Sequence, residues 1–298
     1  MTRGGRDTMR VNKLVICGVG LIGGSLARAL KAAGAVKEVV GVGRTQTSLA
    51  RACELGVIDR AAVSMADAVA GADIVLLAAP VAQTPALLAA IRPHLGGTTI
   101  VTDAGSTKSD AVAAARAALG DEAWRFVPGH PIAGAELSGV DAAKADLYRD
   151  RRVVLCPQPG NRGDDVARVR AMWEAAGARV SEMTPTQHDH VFASVSHLPH
   201  VLSYALIAQI LDAPDAALKF GFAGGGFRDF TRIAASNPEM WRDICVANRD
   251  ALLAELDGYL ATLGSLRQLI DAGDGAGLEA VFARTSQART DWAKQQEK

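Results

Sequence analysis

Lys13-Leu14-Val15-Ile16-Cys17-Gly18-Val19-Gly20-Leu21-Ile22-Gly23-Gly24-Ser25-Leu26-Ala27-Arg28-Ala29-Leu30 (KLVICGVGLIGGSLARAL) decides how this chain folds. After Lys13 it opens with the apolar run Leu14–Cys17, which stops at a G-x-G-x-x-G turn beyond which apolar residues recur at helical spacing. Strand, glycine turn and helix in that order allow a tight bend. They also bring a pyrophosphate close to a helix N-terminus, where free N–H groups and the dipole favour anions. With 30 glycines in the chain, a G-x-G-x-x-G alone carries little weight. The flanking strand and helix make it a dinucleotide-binding candidate, with Gly18, Gly20, Leu21, Ile22 and Gly23 at the phosphates.

Downstream the pattern repeats. Glu38 to Val42 reads as the second strand. Where an acidic residue would take the ribose hydroxyls of NAD, the chain has Gly43 followed by Arg44. A guanidinium suits a 2′-phosphate, so NADP is favoured as cofactor, with NAD as the alternative and a plain solvated loop charge as the bland reading of Arg44. Strand patterns at Asp73–Ala79, Thr99–Thr102, Arg125–Val127, Arg152–Cys156 and Ala178–Glu182 alternate with helical ones at Thr47–Leu55, Thr84–Ile91, Ser109–Leu119 and Asp164–Ala176. This alternation predicts a parallel sheet covered by helices, an α/β Rossmann-type domain. Ligands bind beyond the C-terminal strand ends of such sheets. Three segments fall there: one with Pro80, one with Ser106 (which could also simply cap the next helix), and VPGHPIAGAE at Val127–Glu136. In the last, Pro128, Pro131, Gly129 and Gly134 restrain the loop around His130, a side chain suited to proton transfer near neutrality.

After Pro185 the strand signal ends and an all-α C-terminal domain follows. The expected organisation is a tail at 1–12, a dinucleotide-binding domain at 13–184 and a helical substrate and dimerisation domain at 185–298. A long apolar helix is expected over Asp189–Leu211, kinked at Pro199. His188, His190, His197 and His200 crowd this region without a zinc ligand spacing, so no metal site is expected. Gly224-Gly225-Gly226 predicts a turn into a helix with Arg228 and Arg232 on one face. An arginine there suits a carboxylate ligand, or an intrachain pair with Asp229 or Glu239. Leu252, Leu256, Tyr259, Leu263, Leu266 and Ile270 form a heptad-like stripe, which predicts a homodimer through the helical domain.

The chain's 298 residues are 49% hydrophobic and balance 32 Lys+Arg against 32 Asp+Glu. That balance gives no electrostatic reason to expect a nucleic-acid or membrane partner. The first thirteen residues, MTRGGRDTMRVNK, contain no apolar stretch like that of a signal peptide. The four scattered cysteines suit a reducing, cytoplasmic setting.

Six blocks in order carry a resemblance to the prephenate/arogenate (cyclohexadienyl) dehydrogenases: GVGLIGGS at Gly18–Ser25, DAGSTK at Asp103–Lys108, GHPIAGAE at Gly129–Glu136, SHLPH at Ser196–His200, GGGFRDFTRIA at Gly224–Ala234 and PEMWRD at Pro238–Asp243. The resemblance implies oxidative decarboxylation of a cyclohexadienyl ring. Hydride goes to the nicotinamide, the ring hydroxyl gives up its proton and CO2 departs. It implies that His130 handles the hydroxyl proton with help from Ser106. Arg232 would bind a substrate carboxylate and His200 would lie near the substrate, with Glu136, Asp229 and Trp241 bordering the pocket. Gly43-Arg44 departs from the acidic residue of many members, which puts NAD specificity in doubt. Rival readings are another two-domain dehydrogenase of the β-hydroxyacid or imine type, or a non-catalytic NADP-binding sensor.

Overall fold

Alternation along the first strands builds the nucleotide-binding half. In a computed structural model that describes residues 10–134 and 138–296, β1 (Val11–Cys17), β2 (Val36–Val42), β3 (Arg60–Ala61), β4 (Ile74–Leu77), β5 (Ile100–Asp103) and β6 (Phe126–Val127) form one parallel sheet in the order 3-2-1-4-5-6. Successive side chains of a strand point to opposite faces. Leu14, Ile16, Ile74 and Leu76 therefore enter one core with Leu26, Leu30 and Trp173. Val15, Cys17, Val75 and Leu77 enter another with Leu88, Ile91 and Leu119. Covering helices are α1 (Leu21–Ala32), α2 (Gln46–Glu54), α3 (Met65–Val69), α4 (Thr84–Ile91), α5 (Ser109–Leu119) and α6 (Gly163–Ala175). The strand order reverses between β1 and β4, and a crevice opens at such a point beyond the strand ends.

The later strands do not extend the parallel sheet, and His130 is not in a loop. It lies in β7 (Gly129–Pro131), which pairs antiparallel with β8 (Arg152–Leu155), itself parallel to β9 (Arg179–Glu182). Pro128 separates β6 from β7. Lacking an N–H it cannot prolong the first ladder, while its carbonyl accepts from Cys156 N–H at 2.9 Å in the second sheet.

Thr184 and Gln187 form a capping box that starts α7 (Pro185–Phe192). A π-helical turn, Ala193–His197, leads into α8 (Leu198–Leu211). The irregularity expected at Pro199 thus lies just before it. Pro199 occupies the first turn of α8, where its missing N–H costs little. An 18-residue window of the combined run Pro185–Leu211 reaches a mean hydropathy of 1.4, so length and composition alone would let it cross a bilayer. Its N-terminal part instead buries His188, Asp189 and His197. Next come α9 (Ala216–Gly221), α10 (Gly225–Thr231) and α11 (Pro238–Ala247). Gly224 caps α10 and two of the glycines lie inside it. The helix ends at Thr231, so Arg232 begins a 3-10 turn instead of sharing a helical face with Arg228.

The chain separates into two compact units, residues 1–249 and 250–298. The second is built from α12 (Arg249–Asp271) and α13 (Gly275–Gln296). Leu253, Leu260, Leu263 and Ile270 of α12 are exposed, as are Phe282 and Trp292 of α13.

Candidate active site

The glycine turn works by close approach. Gly18 has φ +103°, and a Cβ there would lie 2.5 Å from the Ala78 carbonyl oxygen. At Gly20, by contrast, an added Cβ would meet nothing within 4 Å. The N-terminus of α1 beside it has no side-chain cap and no acidic residue in its first turn. Bare backbone facing an uncapped helix start fits a pyrophosphate. Gly18, Gly20, Arg44, Thr45, Ser48 and Pro80 are among the residues lining a cleft of about 440 Å³ here. At its rim, a Cβ on Gly43 would press on Leu49 at 3.2 Å.

His130 sits in a polar network that crosses into the helical half. Its Nδ1 lies 2.8 Å from Nε2 of His188, and His188 Nδ1 lies 2.8 Å from Asp189 Oδ1. Asp189 also accepts the backbone N–H of Lys108 and Ser109, each at 2.8 Å, so it caps the start of α5. Behind His130, Lys108 and Asp103 form a buried ion pair. Phe192 packs edge-on against the His130 ring at 4.9 Å between centroids.

These surroundings set proton affinities. Burial holds His130 well below the usual histidine value, helped by His188, Lys108 and His197 nearby. Burial also lowers His188, partly offset by its hydrogen bond to Asp189. Asp189 is lowered: burial pushes it up, but the N–H donors that surround it prevail. His197 falls to about 4, mainly through burial.

A second group of side chains lies in the helical half. His200 stacks on Trp241 with centroids 3.5 Å apart and planes 19° apart, and His200 Nδ1 bonds to the Ser196 carbonyl at 2.8 Å. Burial lowers His200 too, and the positive charge of Arg232 adds to this, which places Arg232 within electrostatic reach. The buried indole N–H of Trp241 has no hydrogen-bond partner among the described residues.

The profile described as "Prephenate dehydrogenase, nucleotide-binding domain" matches residues 26–182, and that described as "Prephenate dehydrogenase, dimerization domain" matches residues 184–284. The chain belongs to the prephenate dehydrogenase family. Among its relatives, a cyclohexadienyl dehydrogenase of Zymomonas mobilis is 37% identical over 93% of this chain and 94% of that protein. A prephenate dehydrogenase of Bacillus subtilis is 36% identical over 90% of this chain and 73% of its own. Prephenate dehydrogenase of A. aeolicus, solved with hydroxyphenyl propionate and NAD+, superposes with TM-score 0.89 at 34% identity, covering 96% of this chain and 99% of that one. Synechocystis arogenate dehydrogenase superposes with TM-score 0.80 at 31% identity, over 94% and 99%.

Of the residues expected from the sequence, this family member stacks His200 on Trp241 with Arg232 within electrostatic reach of His200, and it gathers Gly18, Gly20, Arg44 and Pro80 around one cleft, whose lining does not include Leu21, Ile22 or Gly23. Ser106 lies in the β5–α5 segment, two residues before Lys108, and is half-buried. Asp229 is exposed on α10. Glu136 lies outside the described residues. Sequence reasoning missed His188 and Asp189 as partners of His130, and the Lys108–Asp103 pair behind it. The available signals were a lysine and an aspartate inside one short DAGSTK block and a His-Asp dipeptide four residues into a capped helix. Neither reports a distance.

Proposed function

We propose that this enzyme catalyses oxidative decarboxylation of prephenate, arogenate or both, giving 4-hydroxyphenylpyruvate or tyrosine, in a cytoplasmic tyrosine pathway. The observation that carries the reading is the placement of His130 beyond the C-terminal ends of the parallel strands, with its ring set into a chain of polar groups. Relatives bearing the activity in their names add to it. A bound nicotinamide cofactor supplies the hydride acceptor. Gly18, Gly20, Leu21, Ile22 and Gly23 hold its pyrophosphate, with Pro80 and Ser106 along its path.

His130 accepts the proton of the ring hydroxyl, and Ser106 assists it. Arg232 clamps a substrate carboxylate, with His200, Trp241, Asp229 and Glu136 bordering the ring. Aromatisation supplies the driving force, so the protein chiefly orients groups and manages one proton. Arg44, beside a bare Gly43 and the hydroxyls of Thr45 and Ser48, supports NADP as the preferred cofactor by charge complementarity. NAD, the cofactor in the A. aeolicus structure, is the alternative. Residues 13–184 serve as the cofactor domain. Residues 185–298 supply the substrate wall and the homodimer contact, for which the exposed leucines of α12 are suited.

Absorbance at 340 nm tests the reading, using prephenate, arogenate, a 3-hydroxy acid or no substrate, each with NAD and with NADP. Turnover of the 3-hydroxy acid alone, or of nothing, would overturn it.

A further inference from the structure

We propose that His188 and Asp189 are positioning residues that hold His130 with a proton on Nδ1 and a free lone pair on Nε2, and that this chain stores the substrate hydroxyl proton and hands it back to the product oxygen. The proton-storage half rests on the function proposed above. The tautomer half rests on geometry alone.

The assignment follows from counting donors. Oδ1 of Asp189 already accepts the Lys108 N–H, and Oδ2 accepts the Ser109 N–H. An ionised carboxylate has no proton to give. The 2.8 Å contact from Asp189 to His188 Nδ1 therefore requires the hydrogen on that nitrogen. A neutral His188 then presents a lone pair at Nε2. His130 Nδ1, 2.8 Å away, must donate to it. That leaves Nε2 of His130 as the unprotonated nitrogen. The opposite arrangement needs a cationic His188 donating from Nε2. His188 is 0% exposed and stands near the Lys108 ammonium, which disfavours a resting charge there. The groups facing His130 are Lys108 from the segment before α5, His188 and Phe192 from α7, and His197 from the π-turn.

The reaction's own balance suits a closed chain. The ring carbon loses hydride, the carboxylate leaves as CO2 and the alcohol becomes a phenol, so no net proton is released. As hydride departs, the hydroxyl O–H bond breaks and an N–H bond forms at His130 Nε2. The Nδ1 proton of His130 moves toward His188 Nε2 only for the lifetime of the intermediate, when the Asp189 carboxylate 2.8 Å from His188 Nδ1 offsets a charge that the resting site does not hold. Loss of CO2 sends the C–C bond pair into the ring and onto the oxygen. That oxygen takes a proton back from His130 Nε2, and the shift reverses. A buried dead end stores a proton without leaking it to water.

Long-range 1H–15N correlation spectra of the full-length protein labelled with 15N-histidine read the tautomers directly. His130 and His188 signals are assigned through His130→Asn and His188→Phe. Wild type should show both rings neutral and protonated at Nδ1. Protonation of His130 at Nε2 would overturn the proposal, whatever the substrate proves to be. Asp189→Asn should mix the His130 tautomers and lower kcat by ~10²-fold or more at near-constant KM and cofactor affinity. It should also move the acid limb of the kcat/KM profile to lower pH, because the carboxylate that favours the cation is gone. A folded Asp189→Asn enzyme with unchanged kcat and profile would equally overturn it. Because Asp189 also caps α5, a variant that fails to fold leaves the wild-type spectrum as the deciding measurement. Absence of prephenate and arogenate turnover would sink the functional reading while the spectrum still reported the tautomer.

Discussion

Lys108 and Asp103 together grip both polar backbone atoms of Gly129, the residue before His130. Asp103 Oδ1 accepts the Gly129 N–H at 2.9 Å, and Lys108 Nζ donates to the Gly129 carbonyl at 2.8 Å. Their ion pair is almost completely buried, with side chains 0% and 3% exposed. Gly129 itself fits closely, since a Cβ there would come within 3.0 Å of the Asp103 carbonyl oxygen. The pair therefore sets where β7 carries His130.

Removing one partner of such a pair leaves the other charge buried and uncompensated. Lys108→Met should destabilise the fold by about 3–5 kcal/mol, read from urea denaturation by circular dichroism. A midpoint matching wild type would show that the pair does not anchor this strand.

His130→Asn should lower kcat by ~10²–10⁴ while the cofactor dissociation constant changes little, because an amide cannot act as a base. Steady-state kinetics with fluorescence titration of the reduced cofactor checks both halves. Normal turnover would remove His130 from the chemistry.

Arg232→Ala should act mainly on KM, since a carboxylate clamp holds ground state and transition state alike. A fall in kcat at constant KM would instead assign Arg232 to the chemical step.

Arg44→Ala should weaken NADP binding more than NAD binding, because only the former carries the 2′-phosphate that a guanidinium matches. Equal losses in parallel titrations would defeat the charge argument.

The buried histidines make stability depend on pH. His197 has a folded value of about 4 against ~6.5 when unfolded, so over that interval the unfolded chain binds more protons. Stability should be full above the unfolded value and fall as pH drops from about 6.5 toward 4, with His130, His188 and His200 acting in the same direction. Denaturation midpoints of wild type and His197→Gln measured between pH 8 and 4.5 test this. The variant should lose less stability on acidification, and parallel curves would exclude His197 as a contributor.

Much of this molecule is local in origin. The continuous apolar run Leu14–Cys17, the glycine turn after it and the helical spacing beyond are properties of neighbours in the chain. A reader of the sequence recovers β1, the turn and α1 from them. The helical half is legible for the same reason, as is the candidacy of His130 between its prolines. Sheet membership was not, because pairing is a long-range choice. Nothing near Arg152–Leu155 says that its partner is Gly129–Pro131 and not the parallel sheet.

KLVICGVGLIGGSLARAL by itself determined a strand, a phosphate-sized turn and a helix, since backbone sterics and hydrophobic periodicity act over a few residues. Only the tertiary structure decided the state of the catalytic candidate. His188 stands 58 positions from His130, and Asp189 stands 81 from Lys108. Hydrogen bonds depend on distances of a few ångströms, and packing of α7 against the segment around Lys108 creates those distances. The sequence named the histidine, while the fold decides which of its nitrogens is free.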